Sequence, residues 1–287
     1  MLAGSGHDDV IPHDVLLWSP VDFTMAATYD VGSDFKTGLA VNADGSMMAV
    51  SFNSPFHEVH LFRLAPSFEQ VCVIGRKGTG PAEYNGPRRL CFTDDDTVLI
   101  CDRDNNRVQQ LTVAGKYLTS LAVQNPIAIA VHGDMVAVGT YDGPIEIHLL
   151  ATGELIRHFG SDGDRPGEIG NWATGIRFTS DGKCLLVAER DNYRLSLFTV
   201  DGVFVKHIGA GILSVSFNDV SFDAGDEIIV ADSGNNRICV FSPDGDTLIK
   251  TWGSQGTAAG TFEYPRALAV SGSYLYVLDK TRVQVFE

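Results

Sequence analysis

The chain has 287 residues, with 21 lysines and arginines against 36 aspartates and glutamates, giving a formal net charge of −15 at pH 7. That balance weighs against a general nucleic-acid or anionic-membrane surface, because affinity for either comes from neutralising fixed negative charge. With 44% hydrophobic and 20% charged residues the composition is that of a folded globular chain, and no apolar run reaches the ~18 residues that a membrane-spanning helix needs.

Residues 1–20 match nothing downstream and are read as an N-terminal extension or linker. Asp8, Asp9 and Asp14 lie there with no basic stretch before an apolar one, which argues against a secretory signal. A strand is predicted over about residues 22–32. One phrase then returns along the chain: apolar residues, an acidic residue, a polar turn, an arginine, an alternating apolar strand, a glycine turn and a further strand. Copies run over 99–118, 185–205, 228–249 and 275–286, with degenerate ones at 48–64 and 136–150. The anchoring position is occupied by Glu58, Arg107, Pro144, Arg194, Arg237 and Arg282 in turn, a mean spacing of (282 − 58)/5, or about 45 residues, which is the length of a propeller blade.

Within a period the pattern alternates with the two-residue repeat of strands, and no helical period competes. The fourth period reads as strands at 174–178, 184–189, 194–200 and 203–209, with Asp181-Gly182 and Asp201-Gly202 as hairpin turns. Four short antiparallel strands per period over residues 21–287 predict an all-β, six-bladed β-propeller. The last copy supplies three strands before Glu287, so the strand at 22–32 is expected to complete that blade and leave no open edge.

Cys72, Cys91, Cys101, Cys184 and Cys239 contain no C-x-x-C pair and sit among apolar neighbours. They are read as small buried strand residues, which favours a reducing, cytoplasmic setting. The histidines form no H-E-x-x-H pair, and His57 with His60 is the nearest approach to a ligand pair. Asp162, Asp164 and Glu168 raise a calcium reading, but position twelve of such a loop is Ala173 instead of a bidentate acid. No cofactor and no catalytic residue is assigned.

The segment IIVADSGNNRICVFSPDGDTLIKTWGSQGTAAGTFEYPRALAV, residues 228–270, resembles the NHL repeat. It has the acidic residue, the Asn, the Arg, the Asp-Gly turn, the glycine-rich inter-blade loop and the Pro before the next strand. The resemblance implies a six-bladed propeller used as a protein-binding or RNA-binding platform and occasionally as an enzyme. The zinc-dependent amidating lyases with such repeats place histidines at the channel mouth, and this chain has none at the corresponding positions.

Asp102 with Arg107, Glu189 with Arg194, Asp232 with Arg237 and Asp279 with Arg282 recur blade after blade. Catalysis needs a site once, whereas a residue pair in most blades does a job that each blade needs, here a charge-assisted hydrogen bond spanning the turn between the middle strands. The mouth of the channel is where blades differ. Aligning on Pro87, Pro126 and Pro265, the mouth residues are Thr37, Arg88, Ile127, Thr174, Asn218 and Arg266. Arg88, Arg89 and Arg266, with Trp172, Tyr264 and Tyr84 in the preceding loops and Asn218 on the ring, mark this as the expected binding face, since arginine and aromatic residues dominate protein interfaces. A protein partner is expected. Single-stranded RNA on the same face is the alternative, disfavoured by net charge, and DNA is disfavoured more strongly. A metal-dependent lyase or lactonase-type enzyme in the channel would rest on Asn218 and Asp219.

Overall fold

The computed structural model describes residues 25–31, 35–214 and 216–287. Residues 1–20, which include the predicted extension, and the outer ends of the predicted N-terminal strand lie outside the described residues.

Strand β1 (Met25–Asp30) is followed by a first blade of β2 (Lys36–Val41), β3 (Met47–Phe52), β4 (Glu58–Arg63) and β5 (Glu69–Ile74), and a second of β6 (Pro87–Phe92), β7 (Thr97–Asp102), β8 (Arg107–Thr112) and β9 (Tyr117–Ala122). The third blade holds β10 (Pro126–His132), β11 (Met135–Thr140), β12 (Ile145–Leu149) and β13 (Leu155–Phe159), and the fourth β14 (Ala173–Phe178), β15 (Cys184–Glu189), β16 (Arg194–Thr199) and β17 (Phe204–Ile208). The fifth has β18 (Asp219–Phe222), β19 (Ile228–Asp232), β20 (Arg237–Phe241) and β21 (Leu248–Trp252), and the sixth β22 (Ala267–Ser271), β23 (Tyr274–Leu278) and β24 (Arg282–Phe286). Each blade is a four-stranded antiparallel sheet in sequence order. The sixth is completed by β1, whose Asp30 lies opposite Arg282 and Thr28 opposite Gln284. The expected closure of the ring is therefore present.

The alternation of the strands decides where the core sits. Each sheet turns apolar side chains to both neighbours, so the core is divided among six clusters, one at every blade-to-blade junction. At the closing junction, Val283 and Val285 meet Leu39, Val50 and Phe52, and Tyr29 of β1 stacks on Phe68 of the first blade at 4.3 Å.

The recurring acid–arginine pairs hold the turns and the loops between blades. Asp102 is fully buried, accepts from Arg107 Nε at 2.7 Å and from the Asn85 backbone N–H at 2.7 Å, while Arg107 Nη2 donates to the carbonyls of Gly80 and Glu83. Asp232 and Arg237 repeat this at 2.7 Å, with Arg237 reaching the carbonyl of Ile212. Glu189–Arg194 and Asp279–Arg282 pair at 3.3 Å, their arginines reaching Asp164 and the Ala258–Thr261 segment. Each arginine thus ties its own blade to the glycine-rich loop entering it. The third blade lacks the pair, and its turn is held by Thr140 Oγ1 donating to the Pro144 carbonyl.

Two sequence readings need correction. Tyr84 is not at the mouth: it is fully buried between the first and second blades, equivalent to Ile169 and Phe262 in the other glycine-rich loops, because a large apolar side chain there fills the gap the loop spans. Of the five cysteines, all free, only Cys101 and Cys239 are buried, while Cys72, Cys91 and Cys184 are half-buried.

Candidate functional site

The inner strands open onto the mouth through irregular backbone. In the first four blades the pairing slips at the start of the inner strand, around Thr37, Arg88, Ile127 and Thr174. Such bulges re-aim side chains, here into a cavity of about 420 Å3. It is lined by all six mouth residues together with Phe35, Lys36, Arg89, Trp172, Arg190 and Tyr264. Arg88, Arg89, Arg266, Trp172, Tyr264 and Asn218 are thereby brought around one space.

Their environments differ. Arg89 is buried and points inward, donating from Nε to the Thr174 carbonyl at 3.0 Å, and from Nη2 to the carbonyls of Asn218 and of Arg266, the latter at 2.8 Å. Its Nη1 lies 3.5 Å from Asp219. Asp219 is fully buried, lies 3.6 Å from Arg177, and accepts backbone N–H bonds from Val220 and Leu268. These groups form the floor of the mouth, which makes it a cup. Burial lowers the Arg89 guanidinium below its ordinary value, and the Asp219 charge opposes that shift.

Asn218 carries its side chain away from Asp219, donating to Ser233 Oγ at 2.7 Å. The Asn218–Asp219 pair is thus occupied by hydrogen bonds and ion pairs within the floor, and among the described residues no group of three or more His, Cys, Asp or Glu is placed to hold a metal ion. His57 Nδ1 accepts the Gly86 N–H and His60 Nε2 meets Glu58 at 3.0 Å, so those two histidines serve separate local contacts. A Ser196–His207 contact of 2.8 Å occurs in the fourth blade, yet Ser196 is fully buried and its acid, Glu189, bonds to the serine hydroxyl instead of orienting the imidazole. That is the reverse of a nucleophilic triad.

Arg88 and Arg266 stand higher in the cup, stacked on aromatic rings. Arg88 lies 5.7 Å from the centre of Trp172, whose ring is also approached by Arg103 at 5.6 Å and Arg190 at 5.0 Å. Arg103 also covers Tyr141 at 4.8 Å, and Tyr141 meets Trp172 edge-on at 4.6 Å. Arg266 lies over Phe35 at 4.4 Å and Tyr264 at 5.4 Å. Guanidinium groups over aromatic faces are attracted by the ring quadrupole. Burial first, then the like charge of Arg103, pulls Arg88 down to about 10, which leaves it charged at pH 7. Tyr264 is lowered: burial opposes this, but bonding with Ser216 and Asn218 and the charges of Arg190 and Arg266 outweigh it.

The aromatic residues reach the mouth at a conformational cost. Trp172 and Tyr264 have φ of 65° and 58°, in the left-handed region, where the equivalent residues Gly86 and Asn125 have 70° and 45°. Glycine and asparagine adopt this conformation readily, whereas a bulky residue there is an outlier.

Phe35, Arg103, Tyr141 and Arg190 were not reached from sequence. The signal was available: Arg103 and Arg190 each directly follow the repeat's acidic residue, and Tyr141 occupies the same place after Thr140; the three meet around Trp172, and Arg190 lines the cavity itself. The asparagine-rich turns on this face are tied down, with Asn105 donating to Gly78, Asn192 to Gly163, and Asn236 accepting the Tyr264 N–H.

Among the described residues no helix is long and apolar enough to cross a membrane. None of the curated proteins matches the chain. A family model of the NHL repeat matches residues 84–111 and 218–241. These segments span the first three strands of the second and fifth blades, where the Asp-Asn-Arg set is complete and its 2.7 Å ion pair is shortest. The chain is thus a six-bladed β-propeller of four-stranded blades, and its second and fifth blades match the NHL repeat.

Proposed function

We propose that this propeller is a non-catalytic interaction platform that takes a protein partner on its channel-mouth face, with residues 21–287 forming the platform and residues 1–20 an extension from it. NHL propellers commonly serve as protein-interaction modules. The observation that carries the reading to this face is the set of arginines held over Trp172, Tyr264, Tyr141 and Phe35 around one cavity. Such residues present large contact areas with few rotors to freeze, which is what interface anchors require. Arg89 and Asn218 belong to the floor in this reading, and Arg88, Arg266, Trp172 and Tyr264 to the contact surface.

The test is affinity capture from cell extract with the wild type, the Arg88→Glu/Arg266→Glu variant and an RNase-treated sample. Defined proteins that bind the wild type, resist RNase and disappear with the variant support the platform. Proteins retained by the folded variant place the interaction elsewhere, and recovery that depends on RNA favours the RNA reading.

A further inference from the structure

We propose that the mouth recognises an acidic protein segment, holding its side-chain carboxylates at two positive poles. This rests on the reading of the mouth as the partner-binding face. The first pole is Arg88, Arg103 and Arg190 around Trp172, at the junction of the third and fourth blades; the second is Arg266 over Phe35 and Tyr264, where the sixth blade meets the first. The aromatic centres of the two poles stand at different blade junctions of the ring, and the charge of Arg190 in the first reaches Tyr264 of the second.

Among the described residues, Arg88, Arg190 and Arg266 have no carboxylate within 4.0 Å, in contrast to the repeat arginines, each of which has one. The Nε atoms of Arg88 and Arg266 and the hydroxyl of Thr174 are buried at the mouth with no hydrogen-bond partner, as is Arg194 Nε away from it, while Arg103 Nε has the Asp104 carboxylate at 3.7 Å. Thr174 itself is only 8% exposed and lines the cavity. Buried donors without partners are rare in folded proteins and mark where an acceptor belongs. Guanidinium groups pair with carboxylates through two parallel N–H bonds, so two poles suit a chain carrying more than one acid.

The surroundings favour a peptide over a nucleic acid. Asp104, Asp142 and Asp191 are exposed on the turns that flank the arginines, forming an acidic collar outside the basic centre. A strand with a phosphate at every nucleotide would cross that collar, whereas a peptide can confine its charges to the few residues that enter the cup.

The experiment is isothermal titration of the full chain with hexaglutamate blocked at both ends, its hexaglutamine counterpart, inorganic phosphate and a six-nucleotide uridine RNA. Hexaglutamate is expected to bind, and hexaglutamine not. Binding should fall by roughly tenfold or more in Arg88→Gln/Arg266→Gln, and measurably in Arg190→Gln, whose side chain makes no hydrogen bond among the described residues. It should also weaken as salt rises from about 0.15 M to about 1 M, where the screening length drops from about 8 to about 3 Å. Absent hexaglutamate binding, equal binding of hexaglutamine, undiminished binding by the folded variants, or tighter binding of phosphate or RNA would each overturn the proposal. If that happens while Arg88→Glu/Arg266→Glu still loses captured proteins, the acidic segment is wrong and the platform stands; if capture is also unaffected, both fail.

Discussion

Arg89 of the second blade reaches across the channel to within 3.5 Å of Asp219 in the fifth, and on the way bonds backbone carbonyls of the fourth, fifth and sixth. One side chain therefore ties four blades at the axis, and the same contact closes the bottom of the mouth. The core is divided among six junctions, so this polar spoke is where those junctions are coupled.

Asp219→Ala is expected to be among the most destabilising substitutions in the molecule. It leaves Arg89 and Arg177 without their shared counter-charge in a buried place, a loss of about 3–5 kcal/mol by denaturant unfolding. Gly175→Ala should act on the same group, because a Cβ there would lie 2.7 Å from Asp219 Oδ1. A loss below about 1 kcal/mol for Asp219→Ala, the range of an exposed ion pair, would contradict the spoke.

Asp232 gives the fold a specific acid sensitivity. Burial alone would raise it, but hydrogen bonds from Ser214, Asn235 and Arg237 hold it below its ordinary value. A carboxylate depressed in the folded state stabilises above its unfolded pKa of about 3.9 and loses that contribution as pH falls through its lower folded value. Asp232→Asn is therefore expected to be less stable than wild type at pH 7, with the gap narrowing below about pH 4. Paired denaturant titrations at neutral and acid pH check this; a gap that is constant or widens on acidification would contradict it.

Removing residues 1–30 deletes β1, uncovers the edge of β24 and breaks the Tyr29–Phe68 stack. The melting temperature is expected to fall by roughly 5 °C or more, with a broader transition, since about 1 kcal/mol moves a chain of this size by a few degrees. An unchanged sharp melt would show that the ring does not depend on this closure.

Trp172→Asn separates stability from binding. The left-handed backbone at Trp172 costs roughly 1–2 kcal/mol for a bulky residue and little for asparagine, and that relief opposes the lost contacts with Tyr141 and the three arginines. Unfolding free energy should stay within about 1 kcal/mol of wild type while partner capture falls. Retained capture with retained stability would remove Trp172 from the interface.

The repeat made much of this legible. The period of the arginines, the Asp-Gly turns and the missing fourth strand after Arg282 led to six blades and to closure by the N-terminal strand, because these are local features that every blade repeats. The mouth ring was legible for the same reason, since the residue after each proline could be aligned. Tyr84 was misplaced because sequence shows an aromatic residue in a loop without showing which way the loop turns it. Arg89 and Arg88 are adjacent and chemically alike, and the backbone slips between Pro87 and Leu90, with one at the floor and the other half-buried over Trp172. Tyr141 lay in the turn that departs most from the repeat, and its role depends on Trp172 and Arg103, which come from other blades.

The most direct test of the account places a photo-crosslinking benzoylphenylalanine at Phe35, which is 48% exposed at the mouth, and in parallel at Val203, which is 63% exposed beside the outer strand of the fourth blade. The account requires the partner to be trapped from position 35 and not from position 203. Trapping from position 203 alone would put the partner on the outer wall and contradict the mouth as the binding face.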